Sequence, residues 1–147
     1  MKEKKLSIEM ITKLIPSWKK KSVNIQSINN GITNINFKVL VDEKAFFLTV
    51  PDSNSQLLNI NFFNKYYNNK ICGEIGISPR VIQFIESENI LVTDFIISKP
   101  LCPKLNQNHG INIQLIKTMK ALHNTKPFLQ NFDMFKLIDY YLRLLKI

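Results

Sequence analysis

The sequence predicts an α+β fold: a five-stranded antiparallel sheet with a long helix inserted between its third and fourth strands, followed by further helices. Three observations carry this expectation. Short segments of alternating or continuous apolar character, bounded by Gly, Pro or Asn/Asp clusters, recur five times before residue 96. The segment 59–75 instead repeats its apolar residues at helical spacing. Beyond Phe95 a connector containing Pro100 and Pro103 leads into helical periodicity alone.

Ser7 is placed to cap a short first helix ending near Ile15, because Pro16 pushes the residue ahead of it out of the helical region. Residues 23–28 alternate apolar and polar, and Asn29-Asn30-Gly31 supplies a turn. Ile35, Phe37, Val39 and Val41 then share one face of a second strand. Asp42-Glu43-Lys44 makes a tight connection into the apolar run 45–50, which Pro51 terminates. Ile60, Phe63, Tyr67 and Ile71 mark the long helix, and Gly76 is placed as the left-handed residue that ends it. Residues 81–85 and 90–95 read as two more strands joined by the polar turn Glu86-Ser87-Glu88-Asn89. Helices are expected over 111–123 and from about Asp133 onward. On the last of these Phe135, Ile138, Leu142 and Leu145 form an apolar stripe, broadened by Tyr141 and Leu144, that requires a partner. Three units follow: a helical segment 1–22, a sheet-and-helix unit 23–96, and a connector with helices 97–147.

No apolar stretch approaches the length that crosses a bilayer, and no membrane partner is expected. The charged start Met1-Lys2-Glu3-Lys4-Lys5 leads into no apolar core or small-residue cleavage site, which predicts a cytoplasmic protein. Cys72 and Cys102 stand far apart with no second pair and no His at zinc-ligand spacing, so they read as packing thiols. A net charge of +9 suits nucleic acid, an acidic membrane surface or nucleotide phosphates alike. The lysines are scattered, with Lys19-Lys20-Lys21 as the one internal run of three, and no zinc-finger spacing or RNA-recognition signature is present. Solvated lysines are therefore favoured, and a nucleic-acid partner is not expected.

The order of strands and helices is that of the small lobe of protein-kinase-like folds, and local sequence sharpens the likeness. The segment Asn30-Gly31-Ile32-Thr33-Asn34-Ile35-Asn36-Phe37-Lys38-Val39 resembles the Gly-Gly-x-Thr-Asn-x-Asn-Tyr-Lys-Val segment of the choline/ethanolamine kinase family. A strand turn with a glycine and short polar side chains can present backbone N–H groups to phosphate oxygens, although Asn-Gly is also the ordinary hairpin turn. Residues 45–51 look like the family's third strand, 74–82 like its entry into strand four, and Leu91-Val92-Thr93-Asp94-Phe95-Ile96 like its hinge strand, whose backbone bonds the adenine edge. Leu122-His123 and the segment 132–140 are similar to the next two helices. The similarity runs in order from about Ile28 to the end of the sequence.

The resemblance implies a protein-kinase-like small lobe followed by the first helices of a truncated large lobe. It implies ATP as the bound nucleotide, with Asn30, Gly31, Thr33, Asn34, Asn36, Lys38, Lys65, Asp94, Phe95 and Ile96 as the binding residues. The pattern also fails in places. The family's strand-three Arg corresponds to Thr49, Lys65 stands where the helix glutamate belongs, and Asp52 replaces the Gly after Pro51. Either Lys65 or Lys38 supplies the missing charge, or the site has decayed and ATP binding is weakened or lost. The His-x-Asp catalytic loop and the later magnesium-binding Asp are absent: His109 is followed by Gly110-Ile111, and His123 by Asn124-Thr125. Asp94-Phe95 continues into Ile96 and not into Gly.

No catalytic or metal-ligating residue is therefore assigned, and magnesium is expected only when the missing lobe is supplied. The expected function is the nucleotide-binding, N-terminal part of an ATP-dependent phosphotransferase acting on a small amino alcohol, inactive as this chain alone. Its partner would be a complementary C-lobe chain. The alternative is a non-catalytic module that dimerises through the last helix.

Overall fold

The computed structural model describes residues 6–28, 34–52, 55, 58–98 and 109–145. The first helix, α1 (Ile8–Leu14), begins where Ser7 Oγ accepts a hydrogen bond from the Met10 N–H at 3.1 Å. Pro16 lacks the N–H that a continuing helix would need, and the chain turns through one 3₁₀ turn, Pro16–Trp18.

Five strands follow: β1 (Val23–Ile28), β2 (Asn34–Val41), β3 (Lys44–Pro51), β4 (Val81–Ile85) and β5 (Ile90–Asp94). They form one antiparallel sheet in the order β1-β2-β3-β5-β4. The tight β2–β3 turn is made by Asp42, whose φ of 53° suits a short polar residue. Its carboxylate and N–H both bond Ser22, which ties the turn to the start of β1.

Strand periodicity sorts the sheet into two faces. One carries Phe37, Val39, Val41, Phe46, Leu48, Val50, Ile90 and Val92, all buried, and packs with Ile11 of α1 and with Ile15 just past its end. Trp18 packs into the same core, its ring centroid 5.0 Å from that of Phe46.

The long helix, α2 (Phe62–Glu74), starts three residues later than its periodicity suggests. Asn59 adopts φ 52°, which no right-handed helix accommodates, and Asn61 is the cap, accepting from the Asn64 N–H at 2.9 Å. Its end is as expected. Gly76 has φ 75°, and the Ile77 and Ser78 N–H groups both bond the Cys72 carbonyl.

The polar turn between β4 and β5 closes as a 3₁₀ turn, Glu86–Glu88, with Asn89 left-handed at φ 54°. Strand β5 ends at Asp94, one residue short of the expected Phe95, and beyond it the Phe95 N–H makes a last, long bond to the Ala45 carbonyl at 3.4 Å.

The last helices are α3 (His109–His123) and α4 (Met134–Leu144), the latter capped by Asp133, which accepts from the Lys136 N–H at 3.1 Å. Two polar bonds tie this region to the α2 end of the sheet unit, Asn64 Nδ2 to Gln130 Oε1 at 2.6 Å and Tyr141 Oη to the Leu58 carbonyl at 3.5 Å. The apolar stripe of α4 stays open: Phe135 is 80% exposed and Leu145 67%, with Ile138 and Leu142 also exposed. No helix among the described residues is long and apolar enough to cross a membrane.

Candidate functional site

Residues paired across an antiparallel sheet share a face, so the register reads off what stands on the side opposite the core. One row runs Ile28, Asn36, Thr49, Leu91 and Phe84 across the strands. The next runs Gln26, Lys38, Phe47, Thr93 and Val81. Helix α2 covers the β4 end of this face, where the Tyr66 ring stacks on Phe84 at 4.8 Å and 7°. Thr49, Leu91 and Thr93 are buried, whereas Asn34, Asn36 and Lys38 on β2 remain half-buried.

On that face the Lys38 ammonium lies 4.9 Å from the centroid of the Phe95 ring, a cation–π distance. The Phe47 ring, opposite Lys38 in the register, stands 6.5 Å from Phe95. Phe47 was not singled out by the sequence. Its signal was strand parity, since it lies two residues from Thr49 and so on the same face.

Past β5 the backbone has an open edge. Among the described residues the Ile96 N–H and the Phe95 carbonyl have no hydrogen-bond partner, and Ile96 is 56% exposed. Asp94 behaves differently. Its N–H donates to the Arg80 carbonyl at 3.0 Å, and its carboxylate binds Arg80 Nε at 3.2 Å and Lys44 Nζ at 3.6 Å. Asp94 pairs with Phe46 in the register, so that carboxylate projects on the core side and away from Lys38.

Lys65 lies on α2, half-buried, and burial lowers its pKa because an ammonium loses hydration there. No carboxylate among the described residues pairs with it. Cys72, also on α2, is a free half-buried thiol whose pKa burial raises; Cys102 lies outside the described residues. Asn30, Gly31 and Thr33 lie outside them too, while Asn34 opens β2 opposite Pro51.

The structure thus brings Asn36, Lys38 and Phe95 to one sheet face and leaves the Ile96 edge free beside them. The face carries an aromatic floor, a lysine with no carboxylate partner among the described residues, an amide side chain and an open backbone edge. Among the described residues no three His, Cys, Asp or Glu side chains converge to clasp a metal ion. An open hollow of about 540 Å³ lies beyond the Phe95 end of the sheet, lined by Lys21, Asp42, Glu43, Lys44 and Asp94. Its volume is comparable to a ligand pocket, but Lys21 is tied to Asp42 at 3.6 Å and Lys44 to Asp94, so it presents mostly neutralised charge.

No family model matches the chain, and no curated protein matches it. Among solved structures, a choline/ethanolamine kinase family protein from Mesorhizobium loti matches with a TM-score of 0.62 at 23% identity, over 84% of this chain. The two share a fold. The chain spans 40% of the length of that structure.

Proposed function

We propose that this chain is the nucleotide-binding part of an ATP-dependent phosphotransferase whose acceptor is a small amino alcohol. One observation carries the reading. The β2–β3–β5 register sets Asn36 and Lys38 on the face opposite the core, with Lys38 over Phe95 and an open backbone edge at Ile96. The fold shared with a choline/ethanolamine kinase family protein supports the same assignment.

Phosphoryl transfer depends on a group that orients the acceptor hydroxyl and on carboxylates that hold magnesium. This sequence contains no His-x-Asp segment for the first task, and the carboxylate of Asp94 is occupied by Arg80 and Lys44. The chain alone therefore binds ATP without turning it over. Calorimetric titration with ATP and with adenosine tests the binding, and absence of saturable heat for both would overturn the proposal. A coupled assay with ATP, magnesium and choline or ethanolamine tests the second half: turnover abolished by a point substitution in this chain would refute it.

The bared stripe of α4 favours a second reading, a module that associates through that helix. In sedimentation this reading expects a concentration-dependent dimer that Phe135→Ser with Leu142→Ser converts to a monomer, with no nucleotide bound by either form. A monomer at all concentrations removes it.

A further inference from the structure

Accepting the nucleotide reading above, the polyphosphate of ATP needs a cation free to meet it, because positioning and charge neutralisation are most of what such a site supplies. The described cations around the sheet differ sharply in their availability. Lys21, Lys44 and Arg80 are held by Asp42 and Asp94 at 3.2–3.6 Å. Lys65 on α2 pairs with no carboxylate among the described residues, but it is half-buried there, and burial disfavours its charged form. Lys38 also pairs with no carboxylate among the described residues, and its ammonium lies over the Phe95 ring, 4.9 Å from the centroid.

Register places Lys38 well. It stands directly across from Phe47, with Thr49 as its diagonal neighbour on β3 and Asn36 two residues back on its own strand. Thr49 is uncharged and buried, so the centre of the face carries no cation of its own. A lysine is a compact charge on a flexible four-carbon stem, and an aromatic ring holds it far less firmly than a phosphate does. Lys38 can thus leave Phe95 without breaking an ion pair.

We infer that Lys38 is the phosphate-binding cation of this chain, resting on the Phe95 ring until a polyphosphate draws it off. It reaches this face from β2, two residues past Asn36.

The test compares ATP with adenosine, which shares the base and sugar but has no phosphate to meet an ammonium. Both are titrated calorimetrically into the full chain and into Lys38→Met, which keeps most of the apolar stem, and Lys38→Arg, which keeps the charge. Circular dichroism spectra confirm that each variant is folded. The expected result is ATP binding weakened roughly ten- to a hundredfold in Lys38→Met, the size of one charge-assisted hydrogen bond, with adenosine changed by less than about threefold. Lys38→Arg should stay close to the parent. An unchanged ATP affinity in Lys38→Met, or an equal loss for ATP and adenosine, overturns this inference and leaves the proposed function standing. A parent chain that binds neither ligand overturns both.

Discussion

At the scale of single residues, Lys65 is where burial and charge conflict. Its ammonium is half-buried with no carboxylate partner among the described residues, so the folded state penalises the charged form and its pKa falls below the ordinary 10.5. Between that lowered value and 10.5 the unfolded chain binds more protons than the folded one, and stability rises with pH across the window. Below the window the whole desolvation cost is present. Lys65→Met should therefore be more stable than the parent at pH 7, with the gap closing as pH approaches the upper end. Urea midpoints taken along a pH series check this, and a variant less stable at pH 7 would mean that the ammonium is held by a partner. Residue-level detail was the least legible part of the sequence. Strand parity places Lys38 and Thr49 on a common face, but the approach of Lys38 to Phe95 depends on where β5 stops pairing, which no local pattern encodes. The Asp94–Arg80 pair likewise joins residues whose closeness arises only from the β4–β5 register.

At the scale of elements, the ends of α2 were decided by backbone sign and not by apolar periodicity. Ile60 fits the helical stripe, yet Asn59 is left-handed and Asn61 takes the cap, so the helix begins at Phe62. Asn61→Ala should cost about 1 kcal/mol of stability through the lost cap, measured by chemical denaturation. At the other end Gly76 has φ 75°, with open space where a Cβ would stand. Gly76→Ala is consequently a pure backbone penalty of about 1 kcal/mol, with no packing change to offset it. The strands were legible almost to the residue because alternation, tight turns and Pro51 all agreed on the same boundaries. Where two asparagines competed for one helix start, sequence offered no means of choosing between them.

At the scale of the molecule, the two faces of the sheet divide the work. The core face is closed by α1, Trp18 and four strands' worth of apolar side chains, and Leu48 and Val92 within it are fully buried. Leu48→Ala should destabilise the chain by about 2–5 kcal/mol, since a central strand cannot collapse onto the space left behind. The opposite face is covered by α2 at the β4 end and is more open at β2, which is the asymmetry that a ligand site requires. This division was foreseeable from parity alone. What covers the apolar stripe of α4 was not, because a helix records only that it is amphipathic and says nothing of its partner.

Trp18 gives this arrangement a practical side. It is the sole tryptophan of the chain, and its indole lies against Phe46 beneath α1, with the sheet between it and Lys38. Intrinsic fluorescence excited at the indole band will therefore follow detachment of the N-terminal segment and global melting while remaining silent when a ligand settles on the far side. Optical detection of occupancy needs a second chromophore, introduced on β1 or β2 where the sheet does not shield it.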